Sequence, residues 1–273
     1  MTAPAVFVIN LADSTDRLAA MNGRLTGMGL AYRVYAGVDG RKMSDEEKRT
    51  AYPGPPPFSV GQGWFFPLCD GEIGCALSQI GVYRRIVAEG LPCALVLEDD
   101  MELSPAVPDV LEALAERFSP DEPAVVLLTQ AYSFYPRTRE PLREGVDIVR
   151  VYEAALAGGY FITRRAAALL AEKLYPVWTV ADDWWRFRDI VSLHCLDPAL
   201  IRPDGKLSNV STIAVDPCGD PDLFWAARRR AIFRHPLVAA GRLVARAGRW
   251  VYARWHGIRP MPDARLAWDR SKI

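Results

Sequence analysis

The feature that most constrains the fold is a series of short apolar runs separated by segments with helical signals. Val6–Ile9 is the first run and Cys93–Leu97 is another, and both are continuous rather than alternating. Such runs are typical of strands that are buried on both faces, as in parallel sheets. Comparable runs recur at 32–36, 124–128 and, more weakly, 148–151. The pattern predicts an α/β fold with a mostly parallel sheet covered by helices on both faces.

Capping signals predict where the helices between these strands begin and end. Asp13 or Ser14 caps a helix that stops at Gly27, and Asp70 caps a second helix that runs to Glu89. Further helices are predicted after Ser104 and over 163–174, whereas the Pro/Gly-rich residues 53–67 indicate a surface loop.

Charge is distributed unevenly along the chain, although the formal net charge is zero. Residues 217–273 carry twelve Lys and Arg against four Asp, a net charge of +8, so residues 1–216 carry −8. We therefore predict a main, acidic domain over 1–216 and a basic tail over 217–273. A length of 273 residues suits one large domain with an appendage.

The tail has the pattern of an amphipathic helix. If residues 236–255 are helical, the basic side is formed by Arg242, Arg246 and Arg249, with Trp250 broadly opposite. One interpretation is contact with an anionic membrane surface. The alternative is a helix that packs on the main domain or forms a homo-oligomer contact. We expect no nucleic-acid partner.

The cysteines and the N-terminus bear on the compartment. The five cysteines form no C-x-x-C pair, which favours reduced thiols in a reducing environment. The N-terminal apolar run is predicted to be a strand rather than a signal peptide, and no run is long enough to span a bilayer. We expect a cytoplasmic protein, at most peripheral on the inner membrane.

The strongest chemical signal is the acidic triplet that ends the Cys93–Leu97 strand, Glu98, Asp99 and Asp100. In open α/β sheets, ligands bind at the carboxyl ends of the strands. Two carboxylates about 4 Å apart repel by about 4 kcal/mol at an effective dielectric constant near 20. A divalent cation relieves this repulsion and can hold a diphosphate. The triplet predicts a Mg²⁺ or Mn²⁺ site, and the alternative is a solvated acidic loop.

Two further segments carry candidate residues. Glu72 and Gln79 lie almost two helical turns apart and so share one face, among small residues that permit close approach of a ligand or tight core packing. Asp182 and Asp183 precede Trp184 and Trp185, which suits a carbohydrate subsite in which an acid takes a hydroxyl proton. A helix cap followed by core tryptophans is the alternative.

Weaker candidates follow the first two strands. Asn10 and Arg17 could meet a nucleotide, and Asp39 ends the second strand, although each could be purely structural. The three histidines have no metal-ligand spacing. The glycine-rich signatures of P-loop NTPases, typical dehydrogenases and α/β-hydrolases are absent from the sequence, which argues against those classes.

Taken together, these segments resemble glycosyltransferase family 25, the bacterial lipopolysaccharide-biosynthesis galactosyltransferases, which are similar to domains of collagen galactosyltransferases. The resemblance covers about residues 4–216. It is carried by the stretches VFVINL at 6–11, GEIGCALS at 71–78, ALVLEDD at 94–100, GGYFITRR at 158–165, DDW at 182–184 and STI at 211–213.

The resemblance implies a GT-A-like, Rossmann-like catalytic domain that transfers a hexose with inversion, using UDP-galactose and Mn²⁺ or Mg²⁺, onto a lipopolysaccharide or another glycan or glycolipid. It makes Asp100 the best metal ligand. Our own mechanistic hypothesis adds Glu98 or Asp99 as an assisting ligand and Asp183 or Asp182 as the base. Gln79 stands where the family commonly has histidine, so a proton-transfer role is lost there. Rival functions are a nucleotidyltransferase or a transferase with another donor, and a non-catalytic sugar-nucleotide-binding protein.

Overall fold

The computed structural model describes residues 3–57, 67–205, 207, 248 and 250–261. Its main feature is a ten-stranded sheet with the order β12-β6-β8-β10-β5-β9-β3-β1-β2, in which β7 pairs with β8. A second, two-stranded sheet joins β11 to β4. The strands are β1 Ala5–Asn10, β2 Arg33–Ala36, β3 Cys93–Glu98, β4 Met101–Leu103, β5 Ala124–Leu127, β6 Ser133–Phe134, β7 Glu140–Arg143, β8 Val146–Glu153, β9 Gly159–Thr163, β10 Ser192–Asp197, β11 Ile201–Pro203 and β12 Arg259–Pro260.

Most strands of the large sheet point in one direction, as the apolar runs predict. Seven of the ten share that direction, and the exceptions are β8, β9 and β12. The reversed strand β9 lies between β3 and β5 and pairs antiparallel with both. All five residues of β9 are buried, so its sequence has the continuous apolar pattern of a parallel strand. The pattern therefore does not indicate the direction in which the strand runs.

Helices cover both faces of the sheet, and the central strands β1, β3, β5 and β9 supply side chains to both layers. The helices are α1 Thr15–Gly27, α2 Asp45–Ala51, α3 Asp70–Ala88, α4 Val107–Arg117 and α5 Arg164–Lys173. One core layer joins α3 and α5 to alternate residues of β3, including Val96. The opposite layer joins α1 and α4 to the intervening residues, including Leu95 and Leu97. This arrangement confirms the predicted α/β class.

Element boundaries agree with the predictions to within a few residues, with local differences at helix starts. The N-cap of α3 is Cys69, not Asp70, because the Glu72 carboxylate accepts a hydrogen bond from the Cys69 backbone N–H at 2.9 Å. Helix α4 begins at Val107, two residues after the predicted Pro105. The four described cysteines are free thiols, as expected.

The tail is described only near its end. Residues 248 and 250–255 are helical, and the remainder of the predicted 236–255 helix, the STI stretch at 211–213 and the predicted boundary at 216 lie outside the described residues. After this turn the chain forms β12, which the sequence pattern does not predict, and β12 pairs antiparallel with β6 at the sheet edge. Met261 is buried in the core. In the part of the chain that the structure describes, no helix has the length and apolar character needed to cross a membrane.

The small residues of α3 serve close packing. The loop after β2 lies directly on this helix, where the Val38 backbone N–H donates to Ser78 Oγ at 2.8 Å. A Cβ atom added at Gly74 would lie 2.4 Å from the Val38 carbonyl oxygen and 2.5 Å from the Gly40 nitrogen. Both neighbours are backbone atoms that cannot move aside alone. Tight packing, the alternative to ligand approach, is therefore the role of Gly74.

Substitution of Gly74 by alanine is expected to destabilise the fold by about 1–3 kcal/mol, the usual cost of overpacking. The measurement is the free energy of unfolding in urea. The matched control is Gly23→Ala in α1, where an added Cβ meets no atom within 4 Å. That change should stabilise the protein by about 0.5–1 kcal/mol through helix propensity. Equal shifts of the same sign in the two variants would contradict this packing argument.

Candidate active site

The carboxyl ends of β1 and β3 bring three predicted residues into direct contact. Asn10 ends β1 and its side-chain amide donates to Asp99 Oδ2 at 2.7 Å and to the Ser14 carbonyl at 3.0 Å. Arg17, in the first turn of α1, donates to Asp99 Oδ1 at 3.2 Å. Asp99 is thus buried and held by residues of β1 and α1, although 82 residues separate it from Arg17.

Arg17 also lies 3.4 Å from Asp100 Oδ2 and donates to the Leu207 carbonyl at 3.0 Å. The acidic loop is held from the other side by residues after β11, because the Asp204 backbone N–H donates to the Asp100 carbonyl at 2.8 Å. Arg24 forms an ion pair with Asp204 and donates to the Met101 carbonyl at 2.7 Å. The loop is therefore rigidly positioned by two arginines of α1.

Electrostatic repulsion remains in this cluster despite the arginine. Burial, and then the charges of Asp100, Asp182 and Asp99, raises the pKa of Glu98 to about 8. Burial also raises the pKa of the Asp100 carboxyl, while the Arg17 guanidinium opposes the increase. Asp100 Oδ1 is buried and has no hydrogen-bond partner among the residues that the structure describes. Such an orphaned acceptor indicates a missing cation or donor.

Asp182 and Asp183 differ in their surroundings although they are adjacent in sequence. Asp183 Oδ2 accepts from Arg186 Nε at 2.5 Å and from Thr179 Oγ1 at 3.3 Å, so it is committed to an ion pair. Burial and the charge of Asp183 raise the pKa of Asp182 to about 6. Trp184 is fully buried, which corrects the carbohydrate-facing interpretation of that indole, whereas Trp185 is half-buried.

A strained loop supports Asp182. Leu156, between β8 and β9, has a φ of +79°, a left-handed conformation that a bulky residue rarely adopts. Its backbone N–H donates to the Asp182 carboxylate, and its carbonyl accepts from Trp184 Nε1 at 3.2 Å. Strain of this kind is maintained where the surrounding structure requires it, often at functional sites. Leu156 carries no sequence signal, because no pattern in 154–158 demands a positive φ.

An open cleft of about 270 Å³ lies beside the ends of β1 and β2. Asp39 is at its wall, where it accepts two hydrogen bonds from the Arg41 guanidinium, at 2.7 and 2.8 Å. The Arg41 contacts hold the pKa of Asp39 below its ordinary value. The cleft is also lined by Leu11, Ala12, Asp13, Gly37, Lys42, Met43 and Glu47.

Glu72 and Gln79, the two candidate residues on α3, are both buried. Glu72 is buried as the cap of its own helix, and its charge contributes to the raised pKa of Asp182. Gln79 is only 2% exposed, and its carbonyl oxygen accepts from the Tyr160 hydroxyl, while its Nε2 has no partner within the described part of the chain. The Gln79 side chain borders a cavity of about 10 Å³, the size of one water molecule. Gln79 therefore contributes to the buried support of the site.

The carboxylates of the acidic loop are potential ligands of a divalent cation, which prefers oxygen donors. Among the described residues, no three His, Cys, Asp or Glu side chains are grouped so that they could hold a metal by themselves. Mg²⁺ and Mn²⁺ bound with a diphosphate require only one or two protein carboxylates, because phosphate oxygens and waters complete the shell. The unpartnered Asp100 oxygen and the neighbouring Glu98 fit this requirement.

Fold and site together describe an α/β protein with an anionic cluster at its strand ends, beside an open cleft. The family model described as "Glycosyltransferase family 25 (LPS biosynthesis protein)" matches residues 3–185. The chain therefore belongs to glycosyltransferase family 25, which confirms the resemblance found in its motifs.

Individual relatives align over shorter stretches. "Probable inactive glycosyltransferase 25 family member 3" of Bos taurus is 35% identical over 116 residues, which are 41% of this chain and 19% of that protein. "Procollagen galactosyltransferase 1" of Danio rerio is 33% identical over 100 residues, 35% of this chain and 16% of that protein. The chain thus matches less than a fifth of either relative's length.

Among solved structures, the mannose-1-phosphate geranyltransferase of Thermus thermophilus is 12% identical, with a TM-score of 0.37 over 71% of this chain and 73% of that one. A likeness this distant does not inform the site.

Proposed function

We propose that this protein transfers a hexose, galactose from UDP-galactose, with inversion onto a lipopolysaccharide or another surface glycan. The observation that supports this most directly is the orphaned Asp100 oxygen in an acidic loop that Arg17 and Arg24 hold at the carboxyl end of β3. The description of the family as lipopolysaccharide biosynthesis proteins and the name of the Danio rerio relative support the acceptor class and the sugar.

Asp100 and Glu98 are the residues that would hold Mg²⁺ or Mn²⁺. The bound ion would neutralise the charge that develops on the departing diphosphate. Asn10 and Arg17 act through Asp99 and fix the acidic loop, so that Asp100 needs no rearrangement when the donor binds. The cleft beside β1 and β2, with Asp39 at its wall, is the proposed location of the nucleoside.

Asp182 is the proposed general base. Inversion requires a base that takes the proton of the acceptor hydroxyl on the face of the sugar opposite the diphosphate. A carboxylate with a pKa near 6 is a stronger base than an ordinary aspartate and is still ionised at neutral pH. Asp183 is less suited because Arg186 already neutralises it, and its role is to orient the segment.

A ligand-binding experiment tests the donor assignment. UDP-galactose with Mn²⁺ should raise the melting temperature, because a ligand that binds only the folded state stabilises it. UDP-glucose and UDP-N-acetylhexosamines serve as comparison donors. Transfer of labelled galactose to a lipopolysaccharide acceptor then tests the reaction. If no nucleotide sugar shifts the melting temperature with or without Mn²⁺, the proposal is wrong.

A non-catalytic sugar-nucleotide-binding protein is the second candidate. It is favoured by the word "inactive" in the names of the bovine and human relatives and by the ion pairs that Arg17 already forms with Asp99 and Asp100. Hydrolysis of UDP-galactose in the absence of an acceptor separates the two functions. A transferase cleaves the donor slowly under these conditions, whereas a binding protein does not cleave it. Tight donor binding without cleavage or transfer would favour the second candidate.

A further inference from the structure

The described end of the tail has two different sides. We call residues 250–256 the tryptophan turn. On one side of it, Tyr252 stacks on Tyr152 of β8, with ring centroids 5.7 Å apart and planes inclined by 18°, and His256 lies 4.1 Å from the Tyr252 ring. Trp250, Val251 and Trp255 project away, with exposed fractions of 68%, 57% and 85%.

The turn is anchored to the protein body immediately afterwards. Arg259 and Pro260 pair with Phe134 and Ser133 in β6. The Met261 backbone N–H donates to the Tyr132 carbonyl at 3.0 Å, and the Met261 side chain is 4% exposed. The exposed tryptophans are therefore presented from an anchored segment, and movement of the turn into the core would break these contacts.

The charge of this surface is positive. Residues 250–261 contain two arginines and a histidine and no Asp or Glu, and Arg254 and Arg259 are both exposed. Arg254 lies one helical turn after Trp250, so the two share a side of the helix. Tryptophan prefers the boundary between water and lipid, where its ring meets apolar chains and its N–H remains hydrated. Nearby arginines are attracted electrostatically to anionic lipid headgroups.

We propose that the tryptophan turn docks the protein on an anionic lipid surface, with Trp250, Val251 and Trp255 inserted between headgroups and Arg254 against their phosphates. This inference goes beyond the proposed transferase function and does not rest on it. Because β12 links the turn to the sheet, docking would fix the orientation of the sheet relative to the membrane.

Vesicle sedimentation of the full chain tests this surface. Wild-type protein should pellet with vesicles of phosphatidylcholine and phosphatidylglycerol and remain in the supernatant with phosphatidylcholine alone. The double variant Trp250→Ser/Trp255→Ser should bind at least about tenfold more weakly, since two large apolar side chains no longer insert. The variant Arg254→Glu should also bind more weakly, and added salt should weaken wild-type binding.

The control removes two exposed apolar side chains elsewhere, with Val34→Ser/Val87→Ser, and should bind like wild type. Melting temperatures should be unchanged by the tryptophan substitutions, because those side chains are exposed. The proposal is overturned if the wild-type protein does not pellet with the anionic vesicles. It is equally overturned if the tryptophan variant and the arginine variant both pellet as well as the wild-type protein. It is also overturned if wild type ignores vesicles but forms a dimer that the tryptophan variant abolishes.

Discussion

Replacement of Asp100 by asparagine is expected to lower kcat/KM for galactose transfer by at least about a thousandfold, because the proposed cation loses its principal ligand at the leaving diphosphate. Asparagine keeps the size of the side chain, so the loop held by Arg17 and Asp204 should remain in place. The measurement is steady-state transfer over a range of Mn²⁺ concentrations, together with calorimetric binding of Mn²⁺ and UDP.

The stability of this variant distinguishes a functional carboxylate from a structural one. The pKa of Asp100 is raised in the folded state, so at neutral pH its ionised form costs folding free energy. The asparagine variant should therefore be at least as stable as wild type while being inactive. The control Asp109→Asn, at an exposed position of α4, should change neither property. Near wild-type, metal-dependent activity of the Asp100 variant would remove the basis of the proposed site.

Replacement of Asp182 by asparagine is expected to lower kcat by about a hundredfold to ten-thousandfold, the usual contribution of a general base. Binding of UDP-galactose should be nearly unchanged, because the base acts on the acceptor. The fold should tolerate the change, since the pKa of Asp182 is also raised and its charge is not stabilising at neutral pH. Rapid-mixing measurements of a single turnover would isolate the chemical step.

The pH dependence gives a second readout for Asp182. The base works when deprotonated, so at saturating Mn²⁺ and UDP-galactose the wild-type kcat should decrease tenfold per pH unit below about pH 6, the pKa of this carboxyl. The asparagine variant should lose this decrease. The comparison variant is Asp183→Asn, which should lower the melting temperature by breaking the ion pair with Arg186 but keep the pH profile. If kcat falls further in the Asp183 variant than in the Asp182 variant, Asp183 is the base and Asp182 is not.

The sequence indicates which residues lie together at the strand ends, but not which contacts each of them makes. The triplet 98–100 was expected at a strand end because a buried apolar run stops there. That Asp99 accepts from the Asn10 amide and pairs with Arg17, whereas Asp100 has an oxygen without a partner among the described residues, depends on contacts across more than 80 residues of sequence. In the same way, spacing alone could not separate Asp182 from Asp183, since Asp183 pairs with Arg186 whereas Asp182 is buried and accepts from the Leu156 backbone N–H.

The support behind the site had weaker sequence signals. Gln79 and Tyr160 meet in the core, and nothing in either segment indicates the partner. The left-handed Leu156 lies in a run of small apolar residues, where a glycine would be the expected signal of a positive φ. The direct carbohydrate contact suggested for Trp184 was wrong because the indole ring is fully buried in the core. Its N–H donates a hydrogen bond to the Leu156 carbonyl there.

The sequence by itself determined the α/β class, the main strands and helices, the family and the acidic loop, because each of these follows from local apolar periodicity, capping residues or a short motif. Tertiary structure alone decided the reversal of β9, the attachment of β12 to the sheet edge and the separate environments of neighbouring carboxylates. These properties arise from pairing, burial and charge between residues distant in the chain, and a linear pattern does not encode which of them meet.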